Sequence, residues 1–104
     1  MIYGASGFTG AQAAHYLAGR APAGLRWAVA GRNHDKVEAV AADAGADGVI
    51  VADSSNPSSV SAMVARARVL LTTAGPFSKY GTPVVESCVE HGVDYVDITG
   101  ETPW

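Results

Sequence analysis

Short apolar runs alternate with helical stripes along the whole chain. Met1-Ile2-Tyr3, Trp27-Ala28-Val29-Ala30, Val49-Ile50-Val51-Ala52, Val69-Leu70-Leu71-Thr72-Thr73 and Tyr95-Val96-Asp97-Ile98 are the apolar runs, and each is followed by turn residues. Continuous runs of this kind suit strands covered on both faces, as in parallel sheets. Between them the period changes to that of a helix. Thr9 to about Leu17 is alanine-rich and follows a glycine turn. Asp35 to Ala44 sets Val37, Val40, Ala41 and Ala44 at spacings of three and four, with Asn33 or His34 as the cap and Asp35 matched to the helix dipole. Asn56-Pro57 is a cap followed by proline at the first helical position, ahead of a Val60, Met63, Val64 and Ala67 stripe. Thr82-Pro83 reads as the same device, with Val85, Cys88 and Val89 facing inward and Gly92 as the stop.

Five strands and four helices in strict alternation, joined by short connections, require right-handed crossovers and helices on both faces of a parallel sheet. The expected class is α/β, doubly wound, with strand order 3-2-1-4-5. Residues 1–104 form one domain of ordinary size. The first strand is a stub. In a central position it would leave its neighbours partly unpaired.

The chemistry concentrates in Gly4-Ala5-Ser6-Gly7-Phe8-Thr9-Gly10, directly after the first strand and directly before the first helix. Gly4 turns the chain out of the strand, Gly7 lets a pyrophosphate approach the backbone, and Gly10 lets the helix pack close to the sheet. Free N–H groups at the helix start hold phosphates, and Ser6 and Thr9 can add hydroxyl donors. No Gly-Lys-Ser/Thr follows, so the loop is read as a dinucleotide cradle and not as a nucleoside triphosphate site. The end of the second strand carries Gly31-Arg32-Asn33 in place of the acidic residue that accepts from a ribose 2′-hydroxyl. Arg32 can pair with a 2′-phosphate, with Asn33 and Lys36 assisting, which favours NADP(H) over NAD. Asp53 is either an acceptor for the adenine amino group or a turn residue. Ala74-Gly75-Pro76 lie at the topological switch point beside the nicotinamide half. Phe77 and Tyr80 either wall that pocket or pack on the helix that follows.

Composition narrows the partners. The net charge of −3 gives no reason to expect nucleic acid or an anionic membrane, and no apolar run approaches the length of a membrane span. Cys88 is the sole cysteine and reads as a small core residue, which fits a reducing, cytoplasmic setting. No metal-ligand spacing appears, so no metal is expected. No Lys or Arg follows Lys79, whereas Glu86, Glu90, Asp94, Asp97 and Glu101 do, which reads as a solvated acidic edge. The four tyrosines lack a lysine four residues on, and His15, His34 and His91 sit at helix ends or on helix surfaces, so catalytic residues are left unassigned. Glu101, after the fifth strand, is the one polar group placed on the substrate side.

The chain resembles the saccharopine dehydrogenase-like oxidoreductases, which include trans-acting enoyl reductases. Tyr3-Gly4-Ala5-Ser6-Gly7-Phe8-Thr9-Gly10, Trp27-Ala28-Val29-Ala30-Gly31-Arg32, Gly75-Pro76-Phe77 with Tyr80-Gly81, and Tyr95-Val96-Asp97-Ile98-Thr99-Gly100-Glu101 carry the resemblance, in order and over essentially the whole chain. It implies an NAD(P)-binding Rossmann-type domain that serves hydride transfer. Full-length relatives continue into a large substrate-binding portion and lead into the first strand with several more residues. The chain is therefore expected to be the cofactor-binding part of a larger enzyme, with a truncated first strand and no substrate domain. Two other readings stay open: a stand-alone NAD(P)-binding or sensing module, and an interaction domain that self-associates or docks a partner domain at its C-terminal end, around Trp104.

Overall fold

The computed structural model describes residues 1–102 and 104. Its elements run β1 (Ile2–Tyr3), α1 (Phe8–Ala18), β2 (Ala28–Gly31), α2 (His34–Ala44), β3 (Gly48–Val51), α3 (Pro57–Val64), β4 (Val69–Thr72), α4 (Phe77–His91) and β5 (Asp94–Asp97). The strands form one parallel sheet in the order β3-β2-β1-β4-β5. This is the doubly wound α/β arrangement that the alternation of runs and stripes implies.

β1 is only two residues long, yet both of them pair on both sides. Ile2 stands opposite Val29 and Leu71, and Tyr3 opposite Ala30 and Thr72. Its side chains split between the two faces, as strand pleating demands. Ile2 joins Val29, Val37, Ala41, Ala14 and Trp27 on one face, under α1 and α2. Tyr3 joins Ala30, Val60, Met63, Leu70, Val84 and Cys88 on the other, under α3 and α4. Each large aliphatic side chain buried this way stabilises the fold by about 1.5–3 kcal/mol. The face under α1 and α2 is not covered all the way across. Around β4 and β5 it leaves Val69, Val96 and Ile98 about half exposed.

Local signals set most helix ends. Asn33 caps α2 by accepting from the Lys36 N–H, and Asn56 caps α3 by accepting from the Ser59 N–H, with Pro57 opening that helix. Gly92 stops α4 in the left-handed conformation.

The start of α4 corrects the sequence reading. Thr82-Pro83 is not its cap. The helix begins at Phe77, with Pro76 in the cap position, and Pro83 lies inside it. Proline there lacks the N–H that would bond the Lys79 carbonyl, and Lys79 stands on the exposed side. The earlier start comes from a distant side chain, the Glu101 carboxylate, which takes the first N–H groups of α4. The inward stripe shifts with it. Phe77, Gly81, Val84 and Cys88 are buried, at spacings of four, three and four, whereas Val85 is half-buried and Val89 is 78% exposed. Ala67 lies past the end of α3, still half-buried.

Among the described residues no helix is long and apolar enough to cross a membrane.

Candidate functional site

A cleft of about 800 Å³ opens at the carboxyl ends of the strands, where β1 and β4 diverge to helices on opposite faces. It is lined by Tyr3, Gly4, Ser6 and Gly7 from the β1–α1 turn, Gly31 to Asn33 and Lys36 after β2, Asp53 and Ser54 after β3, and Thr73 to Pro76 with Tyr80 after β4. In open α/β sheets ligands bind at this switch point. A larger depression, about 1440 Å³, lies at the opposite end of the strands against α1, lined by Met1, Tyr16, Trp27, Val69 and Leu71 among others. Its lining surface is more apolar than polar, and it includes Arg26, Asp47, Arg66 and Arg68.

The glycine turn is held from both sides. The N–H groups of Gly4 and Ala5 both donate to the Ala30 carbonyl of β2, at 2.9 and 3.2 Å, and the Thr73 hydroxyl after β4 donates to the Gly4 carbonyl at 3.2 Å. Gly4 adopts φ +84°, and a Cβ there would meet the Ala74 nitrogen and the Thr73 hydroxyl at 2.9 Å. At Gly10 a Cβ would overlap the Gly4 carbonyl oxygen, so glycine is what lets α1 press on the turn. The fold itself thus demands glycine at both ends of the motif. Gly7 differs. Its φ is −76°, ordinary for any residue, and a Cβ would meet only the Gly4 carbonyl oxygen, at 3.5 Å. Packing does not require glycine there, and its missing side chain keeps the cleft wall open to close approach.

Gly7 is also the N-cap of α1, and it brings no side chain to that cap. The Ala11 N–H is the first to find a partner, the Gly7 carbonyl at 2.9 Å. The N–H groups of Phe8, Thr9 and Gly10 have no hydrogen-bond partner among the described residues. Unpaired donors at the positive end of a helix suit an anion. The other two helix starts bordering the cleft each have a side-chain acceptor: Asn33 takes the Lys36 N–H of α2, and the Glu101 carboxylate takes the Phe77 and Ser78 N–H groups of α4.

Charge around the cleft is arranged by strand. Arg32 and Lys36 are exposed beside it, and neither has an ion-pair partner among the described residues. Asn33 uses its carbonyl oxygen on the Lys36 N–H, which leaves its amide N–H groups as donors. Asp53 accepts from the Ser55 backbone N–H at 2.9 Å and from the Ser55 hydroxyl at 2.8 Å. These bonds, with a smaller contribution from the Arg32 charge, outweigh burial and hold the Asp53 carboxyl below its ordinary range. Asp53 is therefore ionised at neutral pH, a fixed acceptor on the cleft rim.

Of the residues singled out in the sequence, Gly4, Ser6, Gly7, Arg32, Asn33, Asp53, Ala74, Gly75, Pro76 and Tyr80 come together on this cleft. Phe8, Thr9 and Gly10 do not line it. They stand behind Gly7 in the first turn of α1, where their backbone N–H groups matter; Phe8 is exposed, and Thr9 borders the opposite depression. Phe77 is buried at the start of α4 and packs against Trp104 with ring centroids 6.3 Å apart. The Glu101 carboxylate is occupied by the N-terminus of α4, and its hydrogen bonds from Phe77 and Ser78 hold it below the ordinary carboxylate range. Tyr3, Gly31, Ser54 and Thr73 line the cleft without having been singled out. The buried Tyr3 hydroxyl is hydrogen-bonded to Ser54 Oγ at 2.9 Å, a pairing across 51 residues that local pattern does not carry. Cys88 is buried, and burial pushes its thiol pKa up, away from reactive thiolate.

A family model described as the saccharopine dehydrogenase NADP binding domain matches residues 1–103. The chain belongs to this family. As a member it is an NADP-binding domain. A protein of Mycobacterium tuberculosis provisionally named as a trans-acting enoyl reductase is 46% identical over 105 residues, covering 97% of this chain and 25% of its own length. A trans-acting enoyl reductase of Mycobacterium leprae is 44% identical over the same shares. The chain thus spans about a quarter of the length of these curated relatives. Among solved structures, saccharopine dehydrogenase (L-Glu forming) from Saccharomyces cerevisiae superposes with a TM-score of 0.82 at 24% identity, covering 98% of this chain and 22% of that one. The Citrobacter triphenylmethane reductase complexed with NADP(H) superposes with a TM-score of 0.75 at 26% identity, covering 88% of this chain and 34% of that one.

Proposed function

We propose that this NADP-binding domain serves a larger oxidoreductase. The parent would reduce a C=C or C=N bond, or oxidise the reverse product. The observation that carries the reading is the set of N–H groups at α1, unpaired among the described residues, behind a side-chain-free Gly7 and flanked by Arg32 and Lys36, which have no ion-pair partner among those residues. The α1 N–H groups with Ser6 would take the pyrophosphate, Arg32 with Asn33 and Lys36 the 2′-phosphate, and Asp53 the adenine amino group. Ala74, Gly75, Pro76 and Tyr80 would border the nicotinamide half. NADPH supplies the hydride when bound, and the chain's own residues bind and orient it. Similarity to trans-acting enoyl reductases over 97% of the chain supports a C=C substrate in the parent.

The half-exposed Val69, Val96 and Ile98 support a further packed layer over β4 and β5, supplied by the substrate portion of the parent or by a partner. The lone buried Cys88 accords with a cytoplasmic location. A second reading, a binding module without turnover, is favoured by one observation. The cleft's Asp53 and the nearby Glu101 are both ionised and committed to structural hydrogen bonds, so neither is a free proton donor. Assaying the longer parent for NADPH oxidation with an enoyl thioester separates the two readings. Turnover supports the oxidoreductase, whereas NADPH binding with no turnover on any C=C or C=N substrate supports the module.

A further inference from the structure

The C-terminal segment returns to the cleft and fastens one of its walls. Glu101 reaches across 24 residues, and one carboxylate oxygen accepts from the Phe77 N–H. Its other oxygen accepts from the Ser78 N–H at 3.1 Å and the Ser78 hydroxyl at 2.8 Å. Glu101 is itself held: its N–H donates to Thr99 Oγ1 at 3.0 Å, and its carbonyl accepts from the Trp104 N–H at 3.2 Å. Asp97 anchors the base of the loop, accepting from the Thr99 N–H at 3.0 Å, the Tyr95 hydroxyl at 2.8 Å and the Trp104 indole N–H at 2.9 Å. The indole lies over Gly81 so closely that a Cβ there would meet it at 2.5 Å. Together these contacts tie the end of β5 to the first turn and a half of α4.

That stretch of α4 continues directly into the cleft wall. Pro76 precedes Phe77, and Tyr80 lies one turn on; both line the cleft together with Ala74 and Gly75. A helix start held by two charge-assisted bonds fixes the residues on either side of it. The carboxylate has a second effect. It fills the positive end of α4 with a negative charge, so among the helix starts bordering this cleft α1 is the one with no side-chain acceptor.

We propose that Glu101 is a positioning residue: it seats the Ala74–Tyr80 wall against the nicotinamide half of the dinucleotide and keeps phosphate away from α4. This rests on the dinucleotide reading of the cleft and adds to it a division of labour, in which the adenine half is independent of Glu101 and the nicotinamide half is not.

The test uses the 104-residue chain, two ligands and two variants. NADPH spans the whole cleft, whereas adenosine 2′,5′-bisphosphate carries only the adenine half with its 2′-phosphate. Both are titrated calorimetrically into wild type, Glu101→Ala and Glu101→Gln, with thermal melts alongside. Glu101→Ala is expected to weaken NADPH about tenfold and to leave the bisphosphate within about twofold. Glu101→Gln keeps one acceptor oxygen and is expected to fall between Glu101→Ala and wild type. Parallel weakening of both ligands, or unchanged NADPH affinity, overturns the proposal. Where Glu101→Ala does not fold, the same outcomes are read from Glu101→Gln. If wild type binds neither ligand, the dinucleotide reading itself fails, an outcome distinct from a failure of Glu101 alone.

Discussion

The β1–α1 wall of the cleft is built from backbone, and the β4–α4 wall is held by side chains from the end of the chain. On the first wall, Gly4 and Gly10 let main chain meet main chain, and the donors left unpaired among the described residues, behind Gly7, are N–H groups. On the second, the Glu101 carboxylate and the Trp104 indole hold a helix start that has no local cap of its own. The difference teaches what each wall can tolerate. A backbone wall fails by steric insertion, whereas a side-chain wall fails by losing hydrogen bonds or charge.

The largest expected effect lies on the backbone wall. Gly10→Ala places a methyl group into the Gly4 carbonyl and forces α1 away from the turn. It is expected to cost about 3 kcal/mol or more, read as a lowered midpoint in urea unfolding. Gly7→Ala sharpens the contrast. Its backbone and surroundings accept a Cβ, so stability should change by less than about 0.5 kcal/mol. NADPH affinity should nevertheless fall about tenfold or more, because the methyl group narrows the approach to the α1 N–H groups. Equal losses of stability at Gly7 and Gly10 would break the claim that one glycine serves the ligand and the other the fold.

The chain that reaches these walls was legible in unequal parts. The parallel sheet followed from the alternation of runs and stripes, and its strand order from the doubly wound nucleotide-binding arrangement. The caps at Asn33 and Asn56 and the glycine turn followed from signals confined to a few neighbouring residues. The start of α4 did not follow. Thr82-Pro83 is a sound local signal, but Glu101 overrides it from 24 residues away by taking the Phe77 and Ser78 N–H groups. Val89 was misplaced for the same reason, since the inward stripe is set by Phe77 and Gly81. Within the site, the members spaced along the glycine motif and at strand ends could be read. Tyr3 and Ser54 could not, because their partnership exists only once β1 and the loop after β3 are adjacent. Phe77 had two open readings in the sequence, and it packs under Trp104 instead of lining the cleft.

Smaller effects sharpen the comparison further. Asn33→Ala removes the α2 cap beside the cleft and Asn56→Ala the α3 cap farther off; each should cost about 1 kcal/mol of stability. Only Asn33→Ala should also weaken NADPH, as titration of the two variants side by side will read. Acid probes the second wall. Glu101 is lowered by the Phe77 and Ser78 N–H bonds, and at Asp97 the bonds from Thr99, Tyr95 and Trp104 outweigh burial. Carboxyls lowered in the folded state stabilise it above their ordinary range near pH 4, and that stability is lost as pH falls through their folded values. Unfolding midpoints should therefore hold from neutral pH to about pH 5 and drop below about pH 4, with a smaller drop in Glu101→Gln. A Glu101→Gln profile identical to that of wild type would contradict that assignment.

The cofactor assignment is tested most directly by calorimetric titration of wild type and Arg32→Ala with NADPH and NADH. Wild type should bind NADPH about tenfold or more tightly than NADH, and Arg32→Ala should lose most of that preference while its NADH affinity stays within about twofold. Equal affinity of the wild-type chain for the two cofactors would contradict the assignment of Arg32 to the 2′-phosphate.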